Sequence, residues 1–233
     1  TEQLVRFSDC AWAWEPPADA PEVPPLPSTS GSGFVFGSFN HLAKLNAGTL
    51  SLWGRVLAAV PDSRLVLKSM GLDIPAAAAA LRERLTGAGI DPRRVELLGP
   101  TAGIADHLAL YRKIDVTLDP YPYHGTTTTC EALWMGRPVV SLAGDRHASR
   151  VGASLLAAVQ RPSWIASSPE DYVAIAERLA RTQELTELGG RALRQAVAGS
   201  PLLDHAGQAQ RFGDALRAAF VRAITPPGSA VAT

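Results

Sequence analysis

Short apolar runs alternate with longer stretches of helical periodicity through the middle of the chain. The apolar runs have the length of buried strands and predict strands over Phe34–Phe36, Leu65–Leu67, Val95–Leu98, Asp115–Leu118, Val139–Leu142 and Trp164–Ile165. The stretches between and after them predict helices, one capped by Asn46 and the others over Ala76–Ala88, Ile104–Lys113, Thr128–Met135, Ser149–Val159, Pro169–Ala198 and His205–Ile224. This alternation predicts right-handed βαβ units, and therefore an α/β fold with a doubly wound parallel sheet.

The two ends of the chain differ from this middle part. Residues 1–33 hold a dense series of prolines and then a Ser/Gly run, a composition that blocks regular structure and favours a flexible connector. Residues 225–233 are predicted to form a similarly flexible tail. We therefore expect one folded lobe over residues 34–224, with a connector before it and a tail after it.

Charge and composition exclude several classes of protein. Lys+Arg and Asp+Glu each number 22, and this zero net charge argues against a nucleic-acid binder. No apolar run suits a membrane span, and the first residues lack the pattern of a signal peptide. Cys10 and Cys130 are far apart and match no zinc spacing. We expect a cytoplasmic protein with no membrane partner, no disulfide and no metal site.

Two of the three lysines in the chain fall where a parallel sheet binds its ligands, at the carboxyl ends of strands. Lys44 comes just after the first predicted strand, and Lys68 directly follows the second. For Lys44 we favour contact with a phosphate, because an ammonium group can neutralise one. For Lys68, a ligand contact and a solvated loop charge remain equally good interpretations.

The loop after the fourth predicted strand carries the most chemical information. Small residues from Gly125 to Thr129 lead into a helix, whose free N–H groups, dipole and threonine hydroxyls can bind a pyrophosphate. Thr128 and Glu131 also have the spacing of a capping box, which needs no ligand. The alternative is that Glu131 binds ribose hydroxyls, as acidic residues do in other nucleotide sites.

Other patterns narrow the chemistry further. His107 lies among apolar helix positions, and this pattern favours a packed core residue. The chain has no P-loop, no G-x-G-x-x-G after a strand and no G-x-S-x-G, so NTP hydrolysis and an α/β-hydrolase are not supported. It also has no D-x-D, the divalent-metal clamp of many sugar transferases.

Three segments, residues 36–68, 115–144 and 147–156, resemble the C-terminal catalytic region of the O-GlcNAc transferase (OGT)/SPINDLY family. Their motifs include FGSFNHLAK, GTTTTCE and HASRVGASLL, in the order and spacing of that family. The resemblance covers nearly the whole chain. It implies the Rossmann-like C-terminal lobe of a GT-B glycosyltransferase.

The resemblance also implies roles for individual residues. Lys44 looks like the catalytic lysine on the donor diphosphate, and His41 stands near the same phosphates. Thr126, Thr127 and Thr128 correspond to residues that hold the diphosphate. Glu131 stands where OGT has an aspartate on the ribose. Ala102 corresponds to a backbone contact to the base and His107 to a histidine packed against it, which reverses the core interpretation of His107.

The activity implied is an inverting, metal-independent transfer from UDP-GlcNAc to protein Ser/Thr, with no cofactor besides the nucleotide-sugar substrate. An alternative is a SPINDLY-like O-fucosyltransferase using GDP-fucose, because GTTTTCE is closer to SPINDLY sequences and Leu110 replaces the base-contacting arginine of OGT. A third is a non-catalytic nucleotide-binding remnant. The family's TPR superhelix and first lobe, which meet the acceptor protein, have no counterpart here. We expect this chain alone to be inactive.

Overall fold

The computed structural model describes residues 4–7, 9–31, 33–182 and 187–224. Within them, parallel strands form one sheet in the order β3–β2–β1–β4–β5–β6. The strands are β1 Val35–Ser38, β2 Arg64–Lys68, β3 Val95–Leu98, β4 Val116–Leu118, β5 Val139–Leu142 and β6 Ile165–Ala166. The chain moves outward in one direction from β1 and in the other from β4, and this reversal confirms the predicted doubly wound sheet. Such a switch point opens a crevice at the carboxyl ends of β1 and β4.

Helices follow the strands closely and agree with the predicted pattern. They are α1 Ala47–Ala59, α2 Pro75–Gly87, α3 Ile104–Ala109, α4 Thr127–Trp134, α5 Val151–Ala158, α6 Pro169–Arg181, α7 Glu187–Ala198 and α8 His205–Ile224. The Asn46 side chain caps α1 by accepting from the Thr49 N–H at 3.0 Å. Gly89 and Gly136, placed as helix stops, adopt left-handed backbone angles of φ 78° and 71°.

Two predicted helices differ from the structure. The helix predicted over Ile104–Lys113 is α-helical only to Ala109 and ends in a tighter 3₁₀ turn, Leu110–Lys113. That turn contains the fully buried Tyr111, whose hydroxyl donates to the Thr128 carbonyl at 3.1 Å. The stretch predicted over Pro169–Ala198 holds two helices, α6 and α7, and residues 183–186 between them lie outside the described part of the chain.

A layer of buried aromatic groups joins the helices to the sheet. Trp53 of α1 is fully buried and donates its indole N–H to the Tyr172 hydroxyl of α6 at 3.3 Å. That hydroxyl donates in turn to the Asp119 carbonyl just beyond β4, at 3.0 Å. Burying each large side chain contributes roughly 2 kcal/mol. The core therefore holds the end of β4, where the crevice opens, against two helices.

The proline-rich segment packs along the lobe. The buried Arg137 guanidinium donates to the carbonyls of Pro24 and Pro25 at 2.7 and 2.8 Å. Ser28, in the run predicted to be flexible, is held at 2.8 Å from its hydroxyl to Asp115. These contacts hold Pro24, Pro25 and Ser28 against the lobe. The domain boundaries themselves stay predictions, and the tail 225–233 lies outside the described residues.

Candidate functional site

Lys44 and the loop after β4 meet in the crevice at the switch point. The Lys44 Nζ donates to the His124 carbonyl at 2.7 Å and lies 4.3 Å from the centre of the Tyr123 ring. Burial lowers the pKa of Lys44, and the nearby carboxylate of Asp119 opposes that shift. The structure therefore brings the predicted phosphate lysine to the loop that leads into α4.

A buried network holds this loop, and the sequence analysis did not identify it. Asp119 accepts hydrogen bonds from the Gly125 N–H at 2.8 Å and the Ser141 hydroxyl at 2.6 Å. The ring of His124 accepts from the Gly152 N–H at 3.0 Å through Nδ1, and its Nε2 lies 3.0 Å from the Leu142 carbonyl. A backbone N–H can only donate and a carbonyl can only accept, so these two contacts fix the orientation of the His124 ring.

Asp119 is fully enclosed by this network. Burial raises the pKa of the Asp119 carboxyl, while the adjacent His124, the two hydrogen bonds and the neighbouring Lys44 limit the rise. The sequence contained one signal for this network, which was the position of Asp119 immediately after β4. Ser141, which donates to Asp119, lies 22 residues further along the chain, too far for sequence spacing to reveal the contact.

The start of α4 is open toward the crevice. Helix α4 begins at Thr127, and no side chain caps its first turn. The Thr128 hydroxyl donates to the Asn40 side chain at 3.0 Å, while Thr127 is exposed and Thr126 half-buried. An uncapped helix start leaves N–H groups free to bind an anion.

The capping-box interpretation of Thr128 and Glu131 is wrong. Thr128 is the second residue of α4 rather than its cap, because the helix begins one residue earlier than predicted. Glu131 is only 6% exposed, and its carboxylate lies 3.1 Å from the His107 Nε2. Since an ionised carboxylate can only accept, His107 donates from Nε2.

Glu131 and His107 form the second half of the site. The His107 ring packs 5.8 Å from the ring of Phe39, centre to centre, and its side chain is 13% exposed. Its Nδ1 is buried, and the described residues offer it no hydrogen-bond partner. The packed ring agrees with the interpretation of His107 as a core residue, and its contact with a nucleotide base stays a prediction.

The remaining predicted site residues lie in exposed turns. Ala102 is exposed in the turn between β3 and α3, the helix that carries His107. His41 is exposed, and its Nδ1 accepts from the Ala43 N–H at 3.2 Å. This bond caps the short 3₁₀ turn Leu42–Lys44, so His41 supports the turn that carries Lys44.

The described part of the chain contains no cluster of metal-ligating side chains and no reactive cysteine. There, no three His, Cys, Asp or Glu side chains cluster in a way that could hold a metal ion. Both cysteines are buried and unpaired, and burial raises the pKa of Cys130 to about 12. A thiol with that pKa is a poor nucleophile at neutral pH.

No helix among the described residues is both long and apolar enough to cross a membrane.

Comparison with known proteins shows the family to which the chain is similar. The profile of glycosyl transferase family 41 matches residues 26–211. A protein of Arabidopsis thaliana named a probable UDP-N-acetylglucosamine–peptide N-acetylglucosaminyltransferase SPINDLY is 40% identical over 205 residues, which are 86% of this chain and 22% of that protein. The chain thus spans about a fifth of the length of that relative.

Solved structures agree with the fold. A mutant of the Thermobaculum terrenum O-GlcNAc transferase superposes with a TM-score of 0.81 at 36% identity, over 93% of this chain and 41% of that one. Anabaena HepE, solved with UDP and glucose, superposes with a TM-score of 0.52 at 16% identity, over 82% of this chain and 51% of that one, and so supports the fold alone. The chain therefore belongs to glycosyl transferase family 41, as part of the C-terminal catalytic region that its SPINDLY and O-GlcNAc transferase relatives share.

Proposed function

We propose that this chain is the donor-binding lobe of an inverting, metal-independent protein O-glycosyltransferase. The observation that carries the proposal is the position of Lys44, whose ammonium lies 2.7 Å from the carbonyl of His124, in the loop that leads directly into the uncapped start of α4. A cation and free N–H groups directed into one crevice are suited to a diphosphate. On this proposal residues 34–224 form the lobe and residues 1–33 lead into it.

In the proposed reaction, a Ser or Thr hydroxyl of the acceptor attacks the anomeric carbon from the face opposite the diphosphate. The hydroxyl oxygen bonds to the anomeric carbon and its proton passes to solvent water, while the bond from the anomeric carbon to the phosphate oxygen breaks and the nucleoside diphosphate leaves. Negative charge grows on the diphosphate as that bond breaks. Lys44 and the N–H groups at the start of α4 would stabilise this charge without a metal ion. Thr126 and Thr127 would add hydroxyl donors, Thr128 would add its backbone N–H because its hydroxyl donates to Asn40, and His41 supports the turn of Lys44.

The nucleoside would occupy the other half of the site. Glu131 lies one helical turn beyond Thr128, and its carboxylate can accept hydrogen bonds from ribose hydroxyls. His107 holds that carboxylate at 3.1 Å and would border the base, together with the backbone of Ala102. Diphosphate and ribose would therefore bind along one face of α4.

UDP-GlcNAc is the donor that we favour. The relatives that support it are named as UDP-N-acetylglucosamine–peptide transferases, and the aligned structure is an O-GlcNAc transferase. One observation favours GDP-fucose as the second candidate. Leu110 packs against the core, so no cationic side chain reaches the base from the position where OGT has its arginine. Acceptor Ser/Thr residues would be presented by parts of a longer protein that this chain does not include.

Calorimetry with the purified chain tests this proposal. UDP, GDP, UDP-GlcNAc and GDP-fucose are titrated separately, each in EDTA and in magnesium. We expect one nucleoside diphosphate and its sugar conjugate to bind in both buffers, with affinities that agree within about tenfold, or 1.4 kcal/mol. A larger loss in EDTA would contradict metal independence. Binding of none of the four ligands would overturn the assignment as a donor lobe.

An activity assay distinguishes the enzyme from the alternative, a non-catalytic nucleotide-binding remnant. The chain is joined to the remaining length of a family protein, and transfer of the labelled sugar to peptide is measured. Transfer would support the enzyme, whereas tight nucleotide binding without transfer would support the non-catalytic remnant.

A further inference from the structure

Lys68 stands out among the lysines because the structure gives its ammonium no partner. Lys44 donates to a carbonyl, and Lys113 pairs with Glu96 at 2.7 Å. Lys68 is half-buried at the carboxyl end of β2, and none of the described residues accepts a hydrogen bond from it. Its ammonium is therefore free to donate hydrogen bonds to a ligand that enters the crevice.

The position of Lys68 in the sheet directs it to the nucleoside half of the site. In the register of the sheet, Lys68 pairs with Leu98 at the end of β3, and β1, its other neighbour, ends at Ser38. Phe39 follows directly and packs against His107, which contacts Glu131. These residues therefore lie at one edge, over the ends of β1, β2 and β3.

Charge also links Lys68 to this edge. Burial lowers the pKa of Lys68, and the carboxylate of Glu131 is the group that opposes the shift. The two side chains are thus close enough to interact electrostatically, yet they form no ion pair at contact distance within the described residues. A ligand group that both donates and accepts hydrogen bonds could bind between the Lys68 ammonium and the Glu131 carboxylate.

We propose that Lys68 and Glu131 together bind the vicinal diol of the donor ribose. This inference rests on the proposed function and adds a specificity residue to it. Each ribose hydroxyl can donate one hydrogen bond and accept others. A carboxylate only accepts and an ammonium only donates, so the pair satisfies a diol in a way that neither group does alone. A phosphate would fit less well here, because the buried carboxylate of Glu131 would repel it.

The test compares ligands with and without the diol. Affinities of UDP and 2′,3′-dideoxy-UDP are measured by calorimetry for the wild-type chain, Lys68→Met and Lys68→Arg, and the guanine pair is run in parallel. Lys113→Met is the matched control, because it removes a lysine whose partner lies outside the site. Thermal melting verifies that each variant is folded.

We expect wild type and Lys113→Met to prefer the ribonucleotide. Lys68→Met should lose about tenfold in affinity for the ribonucleotide and little for its dideoxy analogue, because one charge-assisted hydrogen bond disappears. Lys68→Arg should recover part of the preference, since it still donates. The dideoxy comparison separates a diol contact from a general attraction between Lys68 and the phosphates.

Two results would overturn the inference while leaving the proposed function intact. One is nucleotide binding with the same ribose preference in wild type and Lys68→Met. The other is an equal loss for both ligands in Lys68→Met, which would show that the charge acts on the whole nucleotide. If wild type binds neither nucleotide pair, the proposed function fails, and this inference fails with it.

Discussion

At the scale of single residues, Lys44 is the main contributor to diphosphate binding in the proposed site. It is half-buried, and its ammonium donates to a loop carbonyl, with which a bound diphosphate would compete as a second acceptor. The same ammonium lies over the ring of Tyr123. A cation held in place before the ligand arrives loses less conformational entropy on binding. Lys44 should therefore contribute through both its charge and its position.

Replacing Lys44 with alanine should weaken binding of the nucleoside diphosphate by about one to two decades. A charge-assisted contact to phosphate is worth about 1.5–3 kcal/mol when it is partly desolvated. Binding of the bare nucleoside should hardly change, because it has no phosphate. Calorimetry with both ligands measures the difference, and Lys113→Ala serves as the control. Equal weakening of both ligands would mean that Lys44 supports the turn and does not bind phosphate.

Binding of the nucleoside diphosphate should also weaken at alkaline pH. Burial lowers the pKa of Lys44 below its ordinary value of 10.5, and only the protonated form attracts phosphate. Affinity should be full below the pKa of the free protein and should fall as the pH rises through it, so the loss begins earlier than for an exposed lysine. Titrations between neutral pH and pH about 10 measure this.

The lysine variants show which ammonium is responsible for the alkaline loss. Lys68 also has a lowered pKa and faces the same ligand, so Lys44→Ala should reduce the loss without abolishing it. An alkaline profile that is identical in wild type and Lys44→Ala would contradict the assignment.

At the scale of elements, the start of α4 depends on close packing at Gly125. An added methyl group there would come within 2.5 Å of the Thr128 hydroxyl oxygen and 3.0 Å of the Asn40 side-chain oxygen. The Gly125 N–H is also held by Asp119. The turn therefore has little room to shift without moving the threonines.

Gly125→Ala should weaken nucleoside diphosphate binding by tenfold or more, because it displaces the hydroxyls and N–H groups of the anion site. Gly87→Ala is the matched control. It lies at the end of α2 with no atom within 4 Å of an added methyl, so it should leave affinity unchanged and stabilise by about 0.5 kcal/mol. Calorimetry and thermal melting are run on both variants. Wild-type affinity in Gly125→Ala would show that the start of α4 does not bind the ligand.

Most elements could be predicted from local pattern alone. The predicted strands agree with β1 to β6 to within about two residues at their ends, because a buried strand needs a short apolar run between polar breaks. Helix stops at Gly89 and Gly136 were also predicted, since glycine adopts the left-handed angle at little cost. The start of α4 was misplaced by one residue because several threonines in succession offer equivalent caps.

At the scale of the whole molecule, Arg137 ties the proline-rich segment to the lobe. It is only 1% exposed, and its guanidinium donates to carbonyls of Tyr111, Pro24 and Pro25. Burial lowers its pKa to about 10, while the charge of Asp115 opposes the shift. Asp115 in turn holds the same segment through Ser28.

Arg137→Met should destabilise the fold by about 3 kcal/mol, since it leaves three carbonyls without their donor and removes the positive charge that the buried Asp115 carboxylate attracts. Chemical denaturation measures the change in the free energy of unfolding. The control is Arg93→Met, whose side chain is 91% exposed and pairs with Asp91 on the surface, and whose effect should stay within about 0.5 kcal/mol. Similar stability of the two variants would show that the segment is not docked through Arg137.

The amino-acid sequence by itself determined the parallel α/β sheet and the edge at which Lys44 and Gly125–Thr128 lie. Periodicity, caps and turn residues act over a few positions, and parallel strands bring their carboxyl ends to one edge whatever the details of packing. Only the tertiary structure decided that Glu131 turns to His107, 24 residues away, instead of capping its helix. It also decided how the Asp119 network holds the loop and how the proline-rich segment docks. These partners depend on how each helix is rotated against the sheet, and many distant side chains set that rotation together.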